Sequence, residues 1–377
     1  MINAAIVGLG RWGQNLVNSI QGKSDKIRVV LGVARTPAKT EAYARDKGFP
    51  LVDSLEKALA DPNVQAVILA TPHSTHAAQI VAAAKAGKHV FTEKPFTLTA
   101  ASATEAVAAC KKAGVTLAVG FNWRFQPALQ AMKRMLDDGT LGTLLHVEGN
   151  FNGPSVYRVP KDHWRQKRDE GPAGGMTGRG VHVVDAFQYL AGPVATVHAQ
   201  SFRRALDYGT DDTTSMLLRF ESGATGYLST VIATAETWRM QILGTKGWAA
   251  VGDVEHLTTW QLQVCTYDPA HPYVHVKPQT VTFPDTSTER AELEHFADAV
   301  AARKPLAVPG GDEIHGVAIL EAVLASAKAG ATVKVGAGAP ARTNTAHTTR
   351  LAGSVRAAAP KRKMPAKKTA KRPVSKK

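Results

Sequence analysis

Short apolar runs alternate with helix-like stretches over the first 120 residues of the chain. Five of these runs have the length and apolar character of buried strands, and the segments between them carry helical patterns. Strands that alternate with helices favour a doubly wound parallel sheet, an α/β fold of the Rossmann type. The predicted strands are 2–7, 28–34, 66–70, 90–92 and 116–119, and the predicted helices are 14–21, 37–47, 54–60, 77–86 and 100–113.

The pattern changes after residue 122, where strand-like runs follow one another through turns. This arrangement is typical of a second, α+β domain built on a largely antiparallel sheet. We expect helices to cover one face of that sheet and the other face to meet a second subunit in a homo-oligomer. The predicted strands are 144–151, 197–202, 215–220, 225–231 and 239–243, and the predicted helices are 182–190, 290–302 and 314–329.

A chain of 377 residues exceeds what a single hydrophobic core usually serves. We therefore predict a dinucleotide-binding domain over 1–122 and a substrate and oligomerisation domain over 123–335. The chain has two cysteines, Cys110 and Cys265, so there is no disulfide framework and a reducing, cytoplasmic location is expected. We expect neither a signal peptide nor a membrane span, because no apolar run has the required length.

The formal net charge of +15 is concentrated at the C-terminal end of the chain. From Gly336 onward there are twelve Lys and Arg residues and no Asp or Glu, which leaves +3 for the preceding 335 residues. Segment 336–377 is rich in Ala, Pro and basic residues and is predicted to be a disordered tail. The alternative is a tail that contacts nucleic acid or anionic surfaces nonspecifically.

The first predicted strand runs directly into Gly8-Leu9-Gly10-Arg11-Trp12-Gly13, and a predicted helix follows. This G-x-G-x-x-G lies in the strand–turn–helix context of a dinucleotide site. Gly8 permits the tight turn, Gly10 lets the backbone approach a diphosphate, and Gly13 lets the helix pack on the strand. The motif therefore predicts a nicotinamide cofactor whose diphosphate lies at the helix N-terminus.

The second strand ends in Arg35-Thr36-Pro37-Ala38-Lys39, where an NAD-specific fold usually has an acidic residue for the ribose hydroxyl. Arg35 and Lys39 are suited to a 2′-phosphate, so the sequence favours NADP(H). The alternative is that Arg35 lies flat over the adenine, which NAD also allows.

Two further strand ends carry polar residues, and strand C-termini in such sheets line the ligand crevice. Thr71-Pro72-His73-Ser74-Thr75-His76 follows one strand, and Glu93-Lys94-Pro95 follows the next. We expect the first loop to lie beside the cofactor and the second to hold the reactive charged groups. His73 and His76 have no acidic or thiol neighbours that would indicate a metal site.

With these residues in view, the chain resembles the Gfo/Idh/MocA family of NAD(P)-dependent oxidoreductases, which act mostly on sugars, polyols and their derivatives. The resemblance covers about residues 1–335 and rests on the order and spacing of several short motifs. They are Gly8 to Gly13, Thr71-Pro72-His73, Glu93-Lys94-Pro95, Gly120-Phe121-Asn122-Trp123-Arg124-Phe125, Trp164-Arg165, and Gly174-Gly175 followed by His182 and Asp185.

The resemblance implies that Lys94 is the catalytic lysine beside the nicotinamide and that His182 reaches the reacting hydroxyl. Arg124 and Arg179 complete the expected substrate residues, and Asp185 is expected to be structural. The expected cofactor-binding residues are Gly8, Gly10, Arg11, Trp12, Gly13, Arg35, Lys39, Thr71, Pro72, His73, His76, Glu93, Lys94, Asn122, Trp164 and Arg165.

The sequence departs from the family at one position. The family usually has an Asp four residues before the histidine, and this chain has Gly178 there. Arg179 either fills the vacated space and binds a carboxylate or phosphate of the substrate, or lies on the outer side of the turn. The main functional expectation is a sugar or polyol dehydrogenase; the alternatives are an NAD-dependent glycosidase and a dinucleotide-binding regulator without turnover.

Overall fold

The first 120 residues form a six-stranded parallel sheet flanked by helices, so the predicted doubly wound fold is confirmed. The structure is a computed structural model that describes residues 1–303 and 313–336. The strand order is β3-β2-β1-β4-β5-β6. The strands are β1 Ile2–Val7, β2 Ile27–Val33, β3 Leu51–Val52, β4 Ala66–Leu69, β5 His89–Glu93 and β6 Leu117–Gly120, and the helices are α1 Arg11–Ile20, α2 Glu41–Lys47, α3 Leu55–Ala60, α4 His76–Lys85 and α5 Ala100–Ala113.

Local sequence signals set the ends of these elements. Helix α5 begins after Thr99, whose hydroxyl accepts a hydrogen bond from the Ser102 N–H, and it ends at Gly114 in the left-handed region with φ 68°. Both are favoured capping residues. Every residue of β4 is buried, as expected for a central strand covered on both faces.

Strand order reverses beside β1, which pairs with β2 on one side and β4 on the other. The loops that follow β1, β4 and β5 therefore emerge at the same carboxyl edge of the sheet. Ligands bind at such switch points in open α/β sheets.

The second sheet has nine strands in the order β14-β13-β12-β11-β7-β10-β9-β8-β15 and is largely antiparallel. The one exception among its described pairs is β7 with β10, which run parallel. Helix α6 and strands β12 to β15 were not predicted from the sequence, because they are short or weakly apolar. The elements are α6 Pro127–Asp137, β7 Leu144–Asn152, α7 Val181–Ala191, β8 Val194–Phe202, β9 Thr213–Phe220, β10 Thr225–Val231, β11 Thr237–Gly244, β12 Gly247–Asp253, β13 Leu262–Thr266, β14 Gln279–Val281, α8 Thr288–Ala301, α9 Glu313–Ala329 and β15 Val333–Lys334.

Helices α6, α7 and α9 share one hydrophobic core with the inner face of the second sheet. Side chains along each strand alternate between this inner face and the outer face of the sheet. The outer face exposes Leu217 and Tyr227, which are cross-strand partners on β9 and β10. Apolar side chains on an uncovered face fit the expected subunit contact. That contact stays a prediction.

Helix α8 lies against the first domain, although the sequence analysis assigned its residues to the second. Leu293 and Phe296 belong to the same core as Ile6 and Phe91, and the rings of Phe91 and Phe296 meet edge to face at 5.9 Å. The chain therefore returns to the cofactor domain after completing the second sheet.

The predicted basic tail falls outside the described residues, apart from Gly336 at its start. Among the helices of 1–303 and 313–336, none combines the length and apolar character needed to cross a membrane. Cys110 is buried, Cys265 is half-buried, and both are free thiols.

Candidate active site

Lys94 lies at the carboxyl end of β5, directly after the buried Glu93. The Lys94-Pro95 peptide bond is cis. Burial lowers the pKa of Lys94 to about 8, with Arg165 and Arg179 adding to the effect and Glu93 opposing it. Burial also raises the pKa of Glu93 above its usual range. The lysine is therefore far closer to its neutral form at physiological pH than an exposed lysine would be.

The amine of Lys94 donates a hydrogen bond to the main-chain carbonyl of Gly178, with Nζ and O 2.9 Å apart. Gly178 lies in a π-helical turn, Met176–Gly180, that leads into α7. A Cβ added at Gly178 would meet no atom within 4 Å. A neutral carbonyl thus holds the lysine at the position where the family usually supplies a carboxylate, and there is open space beside it.

His182 is buried at the start of α7 and its ring stacks on Trp123, with centroids 5.3 Å apart and planes 20° apart. Trp123 is buried at the centre of an aromatic cluster that also contains Phe151, Trp238 and Trp260. The ring of His182 forms no hydrogen bond with any described residue, and its Nδ1 is buried. Burial, and then the charge of Lys94, lower the pKa of His182 well below its usual range, so the ring is neutral.

Lys94, His182, Gly178 and Glu93 line a common cavity of about 310 Å³. This volume is at the lower end of the range for small-molecule sites. The cavity opens between the carboxyl edge of the first sheet and the segment 151–182 of the second domain. Lys94 follows β5 and His182 lies on α7. The fold therefore brings these two predicted reactive residues, which are 88 positions apart in the chain, into one cavity.

The glycine turn after β1 has the geometry that a dinucleotide requires. Gly8 has φ 95° and a Cβ there would lie 2.5 Å from the Ala70 carbonyl oxygen, and a Cβ on Gly13 would lie 1.9 Å from the Gly8 carbonyl oxygen. A Cβ on Gly10, by contrast, would meet nothing within 4 Å, which leaves room for a diphosphate. Gly10 caps α1 without a side-chain hydrogen bond, so no side chain occupies the N–H groups of the first turn.

Two buried acceptors near this edge also fit a nicotinamide nucleoside. Oε1 of Glu93 and Oδ1 of Asn122 have no hydrogen-bond partner among the described residues. Buried acceptors normally have donors, and ribose hydroxyls and a carboxamide supply them. Asn122 is held in place by its amide nitrogen, which donates to the Thr288 hydroxyl at 3.1 Å.

Trp164 and Arg165 reach the first domain from the second, as the resemblance implies. The Trp164 ring meets His73 edge to face at 5.0 Å. Arg165 lies over the Trp164 ring at 4.5 Å. Burial, and then the charge of the nearby Arg11, lower the pKa of Arg165. Two adjacent cations at the mouth of the cavity suit a diphosphate.

Glu170, which was not predicted as a site residue, connects the segment around Trp164 and Arg165 to the loop after β4. Its carboxylate accepts hydrogen bonds from the Ser74 main-chain N–H at 3.0 Å and the Ser74 hydroxyl at 2.5 Å. Its main-chain carbonyl lies 2.6 Å from Nδ1 of His73. Burial lowers the pKa of His73 to about 3, so this ring is neutral and donates to the carbonyl.

Arg35 and Lys39 are exposed after β2, and neither side chain forms a hydrogen bond or an ion pair with another residue of 1–303 or 313–336. Both guanidinium and amine are therefore available to a ligand at that strand end. Neither residue lines the cavity beside Lys94.

Three predicted site residues have other positions in the structure. His76 and Pro72 do not line the cavity, although Thr71 and His73 do. The buried His76 ring instead links two loops, with contacts to the carbonyls of Pro95 at 2.9 Å and Thr71 at 3.1 Å. Arg124 is also absent from the lining, because its guanidinium forms a buried, bidentate pair with Asp185 at 2.6 and 2.7 Å. Asp185 is thus held in a structural ion pair.

Arg179 fits neither of the two expected arrangements. It lines the cavity, but its Nη1 contacts Glu236 Oε1 and the Asn152 carbonyl, both at 2.6 Å, and its Nε donates to Ser155 at 2.8 Å. Glu236 also pairs with Arg158 at 2.6 Å. Arg179 is therefore held by several protein partners, which disfavours the expectation that it recruits an anionic substrate.

Two groups near the site, the half-buried His256 and the buried Glu292, carry no sequence signal and were not predicted. His256 lies in the loop after β12 and lines the cavity beside His182. Glu292 lies on α8 with both carboxylate oxygens buried and without partners, and burial and the nearby Glu93 raise its pKa well above the usual range. No three His, Cys, Asp or Glu side chains of the described ranges converge in a way that would hold a metal ion.

The fold and this cavity together define a two-domain oxidoreductase with a dinucleotide-binding first domain. Residues 2–121 match the model of the oxidoreductase family with an NAD-binding Rossmann fold, and residues 129–250 match the Gfo/Idh/MocA C-terminal domain. The chain belongs to the Gfo/Idh/MocA family of oxidoreductases.

Known relatives extend over most of the chain. It is 28% identical to D-xylose 1-dehydrogenase (NADP(+)) 2 of Haloferax volcanii, covering 85% of this chain and 96% of the relative. It is also 28% identical to scyllo-inositol 2-dehydrogenase (NAD(+)) of Bacillus subtilis, covering 79% and 86%. Aldose-aldose oxidoreductase from Caulobacter crescentus, solved with glycerol, superposes with a TM-score of 0.79 at 25% identity, covering 88% of this chain and 99% of that one.

Proposed function

We propose that this protein is a dehydrogenase that interconverts a secondary alcohol and a carbonyl on an uncharged sugar, polyol or related cyclic alcohol, with NADP(H) as the preferred cofactor. The observation that carries the proposal is the pairing of Lys94 and His182 in one cavity. Lys94 is half-buried and His182 is buried, both have pKa values lowered toward their neutral forms, and no described residue forms a hydrogen bond with the His182 ring.

The two side chains supply the proton chemistry that alcohol oxidation needs. A bound nicotinamide supplies the hydride acceptor. Lys94, with a pKa lowered to about 8, takes the hydroxyl proton on Nζ and returns it in the reverse direction. His182, fixed against Trp123, receives a hydrogen bond from the hydroxyl or donates one to it, which orients the oxygen toward Lys94. The Gly178 carbonyl holds the amine at the cavity wall.

The class of substrate follows from the charge around the cavity. Arg179 and Arg158 share the Glu236 carboxylate. Arg179 also donates to the Asn152 carbonyl and the Ser155 hydroxyl, so both guanidinium groups of this wall already have protein partners. The relatives named for D-xylose and scyllo-inositol act on uncharged polyhydroxylated molecules. Neutral histidines and main-chain groups are suited to hydroxyls of that kind.

The preference for NADP(H) rests on Arg35 and Lys39. They are exposed at the end of β2, where an acidic residue would favour NAD, and both are free to pair with a 2′-phosphate. The two relatives are named for different cofactors, NADP(+) and NAD(+), so the family leaves this choice to the individual chain.

The test is a panel of sugars and polyols, including D-xylose, scyllo-inositol and myo-inositol, and trans-1,2-cyclohexanediol, with NAD and NADP supplied separately. Absorbance at the nicotinamide band reports turnover. We expect reduction of NADP with at least one uncharged polyol and a lower rate with the corresponding acids. No cofactor reduction with any member, or turnover confined to carboxylated or phosphorylated sugars, would contradict the proposal.

A further inference from the structure

His256 is the second histidine of the cavity, and no motif or resemblance assigns it a role. It lies in the irregular loop between β12 and β13, about 75 positions after His182. Its ring meets Phe151 edge to face at 4.6 Å and lies 6.3 Å from Trp123. His182 packs against the same two rings, at 6.2 Å and 5.3 Å. One aromatic platform therefore positions both imidazoles.

The loop around His256 is held firmly, which fixes the ring. The main-chain carbonyl of His256 accepts a hydrogen bond from the Trp260 indole at 3.1 Å. The Glu255 carbonyl accepts one from the Trp238 indole at 3.0 Å. Both indoles belong to the aromatic cluster beneath the cavity, so the loop and the platform form one unit.

Neither imidazole is satisfied by the protein. The buried Nδ1 atoms of His182 and His256 both have no hydrogen-bond partner among the described residues. Burial lowers the pKa of His256 to about 4, with Arg179 and Lys94 contributing. Each ring is therefore neutral and presents one donor and one acceptor. His182 is buried and His256 is half-buried, and two neutral imidazoles without protein hydrogen-bond partners are suited to polar, uncharged groups of a ligand.

We propose that His256 is a specificity residue that binds the hydroxyl next to the reacting one, so that His182 and His256 together select a vicinal diol. A hydroxyl both donates and accepts, which matches a neutral imidazole in either tautomer. The nearby Arg179 is already paired with Glu236, so it is not available to compete for this hydroxyl. The inference rests on the proposed function. It adds the requirement that the substrate has hydroxyls on two adjacent carbons.

The experiment compares His256→Phe with the wild type on matched substrates. One substrate is the polyol of the panel that is oxidised fastest. The other is its deoxy analogue, which lacks the hydroxyl on the carbon next to the reacting one. D-xylose with 2-deoxy-D-xylose, and trans-1,2-cyclohexanediol with cyclohexanol, are such pairs. Phe keeps the ring packing on Phe151 but has no polar atom. Calorimetric binding of the polyol to the complex with NADPH gives a readout independent of turnover.

We expect His256→Phe to lower kcat/KM for the diol about tenfold, the factor for one lost hydrogen bond in a closed site, mainly through KM. Its effect on the deoxy analogue should be small, so the preference for the diol is lost. His256→Gln, which keeps a donor and an acceptor, should recover part of the preference. The melting temperature and NADPH affinity of both variants report folding.

An equal loss on both substrates, or no loss on either, would overturn the role of His256. If the Phe variant loses NADPH affinity, His256→Leu, which also has no polar side-chain atom, provides the same comparison. A wild type that oxidises no member of the panel would instead refute the proposed function. The two failures are therefore distinguishable.

Discussion

At the scale of single residues, the main feature of the site is Gly178, which stands where the family usually has an Asp carboxylate beside the lysine. The Lys94 amine rests on the Gly178 carbonyl, and a Cβ on Gly178 would enter open space. A nearby carboxylate would strongly favour the ammonium form of the lysine, whereas a neutral carbonyl acceptor favours it less. With no carboxylate at position 178, burial is the main influence on the pKa of Lys94, which is lowered to about 8.

Gly178→Asp tests this effect. The lowered pKa of Lys94 predicts that kcat/KM for oxidation in the wild type rises with pH, reaches half its maximum near pH 8 and levels off above it, since the neutral amine is the active form. With the carboxylate added, we expect the apparent pKa to rise by about one unit or more. Gly178→Asn is the matched control because it adds the same volume without charge. Identical pH profiles for the Asp and Asn variants would contradict the account.

The cofactor preference also depends on one residue. Arg35→Asp removes a partner for the 2′-phosphate and supplies an acceptor for a ribose hydroxyl. We expect the dissociation constant for NADP to rise and that for NAD to fall, so that the preference shifts by at least about tenfold. Arg45→Asp, an exposed change on α2, is the control. A wild type that already binds NAD more tightly would contradict the interpretation of Arg35.

At the scale of secondary structure elements, α8 couples the two halves of the chain. Its apolar residues complete the core of the first domain, while Glu292 lies buried near Glu93 without a partner. An ionised carboxylate is costly in such a place, so Glu292 is protonated in the native state.

This arrangement predicts a stability difference that depends on pH. Because the pKa of Glu292 is raised in the folded protein, the native state keeps a proton that the unfolded chain releases. Stability is therefore lost as pH rises above the ordinary glutamic acid pKa of about 4.3 toward the raised value. We expect the melting temperature of Glu292→Gln, relative to wild type, to increase as the pH rises from 5 toward neutrality.

Glu294→Gln, on the same helix and half-exposed, is the control for the substitution itself. If the Glu292→Gln difference is constant across this range, the Glu292 carboxyl group is not protonated in the folded protein.

Element prediction from sequence succeeded where the pattern was local. Strand β1 and helix α5 coincide with their predicted bounds, because continuous apolar runs, a Thr cap and a terminal Gly mark their ends. The edge strands β13 to β15 were missed because they are two to five residues long and only partly buried. The π-helical turn at Met176–Gly180 has no sequence rule that predicts it.

At the scale of the whole molecule, the motifs identified the first half of the site and the tertiary fold decided the rest. Lys94 and Gly10 follow from strand-end motifs that act locally. The partnership of Arg179 with Glu236 joins residues 57 positions apart, and His256 reaches the cavity from a loop without any pattern. Such contacts depend on how the second sheet folds back on itself, so sequence periodicity does not specify them.

The central claim is that Lys94 moves the proton in a reaction driven by a nicotinamide cofactor. The most direct test compares Lys94→Ala with wild type, using the fastest polyol of the panel and measuring both turnover and dinucleotide affinity. Lys85→Ala, an exposed change on α4, is the control. We predict that Lys94→Ala lowers kcat at least about a hundredfold, the usual contribution of general acid–base catalysis, while the dinucleotide dissociation constant changes little. Turnover comparable to wild type would remove Lys94 from the mechanism and contradict the account.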